Sequence, residues 1–348
     1  MLYIRADMND TIATGHMVRC LAIAEAASEI GEDTTFITAD ETPLELIQKK
    51  GYRNICLHTA WDHMEEELDQ LEKVIEEEKI RLLLIDSYYI TKGYMKRLSQ
   101  KIKTVYIDDL HTGIWDCDIL INYAIYASKF HYERDYSKTR IFLGCRYAPL
   151  RKEFAKERFK KEILKKIQNV LFLTGGTDPV GVSQEFVKSL IGRRDFLDVN
   201  FHVICGRYNR NVEVLKKMAA QNPNIYIYQN VEHIEKFMKE ADIAITAGGT
   251  TLYELAAFGV PIICYSMVDN QLDNVQWFSK EGIAEYVGDI RTPEFQIEDI
   301  FTRLRYLAGD MELRTKLSEN GRNMIDGKGA RRIVEILMGK VREDIKDE

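Results

Sequence analysis

The chain has no uninterrupted apolar run near the roughly 20 residues that would span a bilayer, so no membrane insertion is predicted. Its start, Met1-Leu2-Tyr3-Ile4-Arg5-Ala6-Asp7, lacks the apolar core of a secretory leader, and a cytoplasmic location is expected. The six cysteines (Cys20, Cys56, Cys117, Cys145, Cys205 and Cys264) are scattered and form no CxxC pair. Without paired spacing a zinc site is not expected. Runs such as Ile204-Cys205 and Ile262-Ile263-Cys264 predict buried, reduced thiols instead. No basic stripe is present. Lys160-Lys161 and Lys165-Lys166 alternate with acidic and apolar residues, and the net charge is −7, which argues against a nucleic-acid partner. His58 and His63 flank Trp61 at a spacing that does not share a helical face, so they are given no metal role. Internal repeats and low-complexity tracts are also missing.

What is present is an alternation of short apolar runs with longer amphipathic segments. Candidate strands are residues 2–5, 34–37, 81–85, 104–107, 118–121, 169–173, 200–205, 225–228, 242–246 and 261–265. Between them lie helical patterns such as Met64, Leu68, Leu71 and Ile75, with charged residues on the other face. Such alternation predicts α/β units with parallel sheets covered on both faces. It occurs twice. Residues 1–150 form one series, a charged stretch from 151 to 166 follows, and a second series starts at Asn169. Two doubly wound, Rossmann-like domains are therefore predicted, residues 1–150 and 151–348, the second ending in a helical, charged tail. A ligand cleft is expected at the carboxyl ends of the strands.

The most informative segment is residues 246–261. An apolar run ends in Ala247-Gly248-Gly249, Thr250-Thr251 open a helical pattern, and Gly259-Val260-Pro261 leads into the next run. Glycine lets the backbone approach a ligand closely. The free N–H groups and positive dipole of a helix start favour a phosphate. Glu254 lies one turn in from Thr250, where a carboxylate could accept hydrogen bonds from a ribose diol. A nucleotide diphosphate held at a helix end is the reading. Thr174-Gly175-Gly176-Thr177-Asp178-Pro179 opens the second domain in the same style and could cradle phosphate from the other side. As a plain turn, Asp178-Pro179 would only punctuate a helix.

His16 follows the first strand, at the start of a helical pattern and after Gly15. A helix N-terminus disfavours an imidazolium, so a ring placed there suits a general base acting on water or a hydroxyl. Its bland alternative is a turn-capping histidine. Asn270 and Gln271 follow the 261–265 strand, with amides suited to sugar hydroxyls and acetamido groups. Tyr88 follows the 81–85 strand and could face the cleft. The strand-end acids Asp86, Asp108 and Asp109 are read as helix caps or turn formers.

These motifs resemble one family. The marks are Arg5-Ala6-Asp7, then Gly15-His16 with Arg19; Asp86 with Tyr88; Tyr147-Ala148, Leu150-Arg151 and Glu153-Phe154; Gly175-Gly176-Thr177-Asp178; Ala247-Gly248-Gly249-Thr250-Thr251 with Glu254; and Asp269-Asn270-Gln271. From Ile4 to about Tyr286 the chain resembles the nucleotide-sugar hydrolases of pseudaminic acid biosynthesis, the PseG family of the GT-B superfamily, akin to MurG-like glycosyltransferases. The resemblance implies a GT-B fold and release of UDP by water from UDP-2,4-diacetamido-2,4,6-trideoxy-β-L-altropyranose, without metal or cofactor, in a route tied to flagellin glycosylation. It implies His16 as base, with Tyr88 and Asn270 near the reacting sugar. Glu254 would hold the ribose. Gly175, Gly176, Thr177, Gly248, Gly249, Thr250 and Thr251 would hold the diphosphate. The backbone at Val231, before a helix starting at Glu232, would read the uracil. Gly15, Arg151 and Gln271 join the substrate-binding set. Ala13 departs from the glycine common at that position. The rival readings are a GT-B glycosyltransferase using a UDP-sugar donor, a UDP-sugar 2-epimerase, and a nucleotide-sugar binding protein without turnover. Oligomeric state is not readable.

Overall fold

The computed structural model describes residues 1–156 and 161–340. The chain forms two compact units, Met1–Lys152 together with the described residues from Gly327 on, and Glu153–Asp326. The first contains seven parallel strands: β1 (Leu2–Ala6), β2 (Thr34–Thr38), β3 (Arg53–Cys56), β4 (Leu82–Asp86), β5 (Lys103–Ile107), β6 (Ile119–Asn122) and β7 (Arg140–Leu143), in the order β3-β2-β1-β4-β5-β6-β7. The second contains six: β8 (Asn169–Leu173), β9 (Asn200–Cys205), β10 (Ile225–Gln229), β11 (Ile243–Ala247), β12 (Ile262–Ser266) and β13 (Ala284–Asp289), in the order β10-β9-β8-β11-β12-β13. Both are doubly wound sheets. Their strand order reverses beside β1 and β4 in one unit, and beside β8 and β11 in the other. Ligands of such sheets bind at the carboxyl ends of the strands flanking the reversal.

The central strands are buried along nearly their whole length because helices cover both faces; β8, for example, is buried from Val170 to Leu173. The predicted stripe Met64, Leu68, Leu71 and Ile75 is the buried face of the helix Met64–Glu77. Three strands were not predicted from the sequence, β3, β7 and β13, and each lies at a sheet edge. Their residues are mostly only partly buried, so they lack the apolar run that marks a central strand.

One charged group breaks the apolar pattern of β1. Arg5 is fully buried, and its Nε and Nη2 donate to the two carboxylate oxygens of Glu67 at 2.8 and 2.6 Å. Its Nη1 donates to Asp7 at 2.5 Å, and Tyr94 donates its hydroxyl to Glu67 at 2.8 Å. Desolvation of the guanidinium is offset by this bidentate, fully hydrogen-bonded pairing.

The end of the chain departs from the predicted domain limits. The helix Gly329–Leu337, numbered with the second domain but with its packing left open by the sequence, lies in the first unit, and Arg332 Nη1 donates to the carbonyl of Arg146 at 2.8 Å. Gly329 is what permits this docking. A Cβ there would lie 2.1 Å from the carbonyl oxygen of Ala148. Gly329→Ala is expected to destabilise the protein by about 1–3 kcal/mol, the usual range for overpacking. A urea midpoint equal to wild type would show that the backbone yields at no cost.

Candidate functional site

In the first unit, loop 7–14 leads from β1 to the helix Gly15–Ser28. Asn9 Oδ1 accepts the N–H groups of Thr11 and Ile12, each at 2.9 Å. Ala13 then sits at φ 57°, in the left-handed region that glycine adopts at little cost and alanine does not. His16 is the second residue of the helix and only 4% exposed. Its Nδ1 lies 2.6 Å from Oδ1 of Asp86, at the end of β4.

Asp86 is buried, which pushes its carboxyl up, but Arg19 first and His16 second outweigh this and hold it well below the usual carboxylate range. An anionic carboxylate can only accept. The proton of the neutral imidazole is therefore assigned to Nδ1, which leaves a lone pair on Nε2. Arg19 Nη2 also lies 3.0 Å from Nδ1. With that nitrogen protonated this is a packing contact, and Nη2 donates to Asp86 instead.

Arg19 stands three residues after His16, on the same helix face. Its Nε donates to Asp86 at 2.5 Å, and its Nη1 donates to Asp109 at 2.8 Å and to the Tyr123 hydroxyl at 2.6 Å. Tyr88 donates to the same Asp109 oxygen at 3.1 Å, and its ring meets the His16 ring edge-on at 4.4 Å between centroids. Burial and then Asp109 push the Tyr88 phenol well above its ordinary value, so it remains a donor.

The cap reading of Asp86 is thus corrected: it is the buried acceptor for His16 and Arg19. Asp108 does form a turn, accepting the N–H groups of Leu110 and His111 at 3.3 and 2.8 Å. Asp109, read like Asp86 as a cap or turn former, joins this network, and Arg19 and Tyr123 carried no assigned role. The signals in the sequence were the three-residue spacing of His16 and Arg19 and the pairing of Asp86 with Tyr88 among the family marks.

In the second unit, Gly175-Gly176-Thr177 follow β8, and Asp178 closes the turn by accepting the N–H groups of Val182 and Ser183 at 2.9 and 3.0 Å. That is helix capping, the bland alternative for Asp178. Gly248 and Gly249 follow β11. The carbonyl of Gly248 accepts from Asn274 Nδ2 at 2.8 Å, and Tyr253 donates to Asn274 Oδ1 at 2.8 Å. Gly249 faces open space, since a Cβ there would meet nothing within 4 Å. Thr250 caps the helix Thr251–Phe258 without a side-chain hydrogen bond. Among the described residues, no hydrogen bond takes up the amide N–H of Thr250 or Thr251. These are the free donors a diphosphate needs. Glu254 lies in the first turn of the same helix, partly buried.

The remaining predicted residues are more dispersed. Gln271 turns its Oε1 back to accept the Met267 N–H at 3.1 Å, while Asn270 is exposed. Val231 is partly buried, but the helix after it begins at Ile234, with His233 at its cap, rather than at Glu232. Asn230 makes the turn out of β10 at φ 49°, and His233 at φ −111°, ψ 60° is not yet helical. Arg151 belongs to the first unit and directly precedes the helix Lys152–Lys156. Gly15 offers open space beside His16. Among the described residues, no group of three or more His, Cys, Asp or Glu could hold a metal ion, and no helix is long and apolar enough to cross a membrane.

Two parallel-sheet units of this order, with glycine turns at the strand ends, define a GT-B fold. Solved structures agree: the chain superposes on Acinetobacter baumannii MurG with a TM-score of 0.66 at 14% identity, covering 97% of this chain and 99% of that one. It superposes on the S. aureus MnaA–UDP co-structure with a TM-score of 0.69 at 13% identity, covering 100% of both. Residues 170–320 match the glycosyltransferase family 28 C-terminal domain. The Campylobacter jejuni UDP-2,4-diacetamido-2,4,6-trideoxy-β-L-altropyranose hydrolase is 30% identical over 285 residues, 80% of this chain and 96% of the relative. The Bacillus subtilis spore coat polysaccharide biosynthesis protein SpsG is 26% identical over 344 residues, 95% of this chain and 96% of that one. The chain belongs to the family of the Campylobacter hydrolase and has the GT-B fold.

Proposed function

We propose that this protein is an enzyme that hydrolyses UDP-2,4-diacetamido-2,4,6-trideoxy-β-L-altropyranose to UDP and the free sugar, in pseudaminic acid biosynthesis. The observation that carries the reading is the buried His16–Asp86 pair, 2.6 Å apart, which orients the imidazole through Nδ1 and leaves Nε2 to take a proton. Water attacks the anomeric carbon as its proton passes to Nε2. The bond from that carbon to the diphosphate oxygen breaks, and UDP leaves as an anion. Asp86 stabilises the imidazolium that forms, as an acid behind a catalytic histidine does. Tyr88, held by Asp109, is a donor beside the ring, and Asn270 is assigned to the sugar. The unspent N–H groups of Thr250 and Thr251 receive the leaving charge, with Gly175, Gly176, Thr177, Gly248 and Gly249 keeping the backbone close. Such preorganised donors stabilise developing charge without a metal. Glu254 is assigned to the ribose and Val231 to the uracil, with Gly15, Arg151 and Gln271 completing the binding set. The name and coverage of the Campylobacter relative support the substrate.

A second reading is a glycosyltransferase, favoured by the family 28 match over residues 170–320. The purified protein, given the UDP-sugar alone, is expected to release UDP and free sugar, followed by NMR. Release that begins only when an acceptor is added would establish the transferase. A changed sugar still joined to UDP would establish an epimerase.

A further inference from the structure

The sheet order of the second unit places β9 between β10 and β8. If the uracil is read after β10 and the diphosphate is held after β8 and β11, the nucleotide has to cross the end of β9. Neighbouring strands are about 4.8 Å apart, so the turn after β9 lies in its path. That turn, residues 206–209, has no role in the reading above, on whose nucleotide assignment this inference rests.

The turn is locked to the Gly175-Gly176 loop. A Cβ on Gly206 would lie 2.1 Å from the carbonyl oxygen of Gly175 and 2.6 Å from the carbonyl carbon of Gly176, so any side chain there would force the loops apart. The Tyr208 N–H donates to the Gly176 carbonyl at 3.1 Å, and the Asn209 N–H closes the turn on the Gly206 carbonyl at 3.1 Å. Asn209 Oδ1 is engaged by the Asn211 N–H at 2.8 Å. Its Nδ2 is buried without a hydrogen-bond partner, and so is Thr174 Oγ1, which immediately precedes the glycine loop. Buried donors are almost always satisfied. Two orphans, one on each of two touching turns, mark a place where hydrogen bonding is completed by something the protein alone does not supply. Arg207 is exposed on the same turn and brings a positive charge to it.

We propose that residues 206–209 and the Gly175-Gly176 loop form one phosphate-holding element, in which Gly206 is a positioning residue and Arg207 meets the charge of the nucleotide diphosphate. The test is calorimetric binding of UDP and of uridine to the full-length protein. Arg207→Gln changes an exposed side chain, and is expected to weaken UDP about tenfold, the scale of one charge-assisted hydrogen bond, while uridine affinity stays within about twofold. Gly206→Ala is expected to weaken UDP by at least about tenfold through displacement of Gly175, again sparing uridine. A loss shared equally by UDP and uridine, or no loss in either variant, overturns the proposal. So does a wild type that binds uridine as tightly as UDP. If the UDP-selective losses hold but the wild type releases no UDP from the sugar nucleotide, the hydrolase reading falls and this one stands.

Discussion

A His16→Gln variant is expected to lose about 10²–10⁴-fold in kcat for UDP release, the range for removal of a positioned general base. Its affinity for UDP should change by less than about twofold, because the base is asked to act only in the transition state. Glutamine is chosen because its amide can still donate to Asp86 and fill the buried space, but cannot take a proton from water. Steady-state kinetics with the UDP-sugar, alongside calorimetric titration of UDP, separate the two effects. A kcat close to wild type would move water activation to another group and end the assignment of His16.

Asp86→Asn should be costly in two ways at once. Asp86 receives His16, two nitrogens of Arg19 and the Cys20 thiol in one buried place. Removing its charge leaves Arg19 with only part of its counter-charge, and breaking a buried pair in this way costs about 3–5 kcal/mol. The pH dependence follows from the direction of the shift. Arg19 and His16 hold the folded carboxyl below its unfolded value. Its stabilising contribution is therefore complete above the ordinary carboxylate range and is lost only as pH falls through the depressed folded value. The deficit of the variant should shrink as pH falls below about pH 4. A deficit that stayed at its full size on acidification to about pH 2 would contradict the charge assignment. Activity of the folded fraction should also fall, because an amide at this position no longer compels Nδ1 to carry the proton.

How far the sequence could be read depended on which forces leave a local mark. The central strands are legible because burial on both faces demands unbroken apolar runs, as in β8 and β11. The edge strands β3, β7 and β13 are not, because half-exposed residues carry no such run. The glycine turns after β8 and β11 and the helix position of His16 were visible for the same local reason. Asp86 was misread because its role depends on β4 lying beside β1, and strand adjacency is a property of the sheet order. A lone acid at a strand end looks the same whether it caps a turn or orients an imidazole. The last helix shows a similar limit: Gly329–Leu337 displays an apolar face, but nothing in that face says which unit it will cover.

The buried Arg5 cluster has a consequence for how the first sheet assembles. Side chains alternate across a strand, so a slip of β1 by one residue would turn Arg5 to the opposite face. Glu67, fully buried on the helix Met64–Glu77, would then lose its bidentate partner, and the guanidinium would be stranded among apolar groups. Each stranded charge costs several kcal/mol, whereas a slipped but wholly apolar strand would bury much the same surface. The cluster therefore works as a parity check on the central strand: only the alignment that brings together residues 62 positions apart in sequence passes it. The same alignment sets where β1 ends, and with it where the loop to His16 begins.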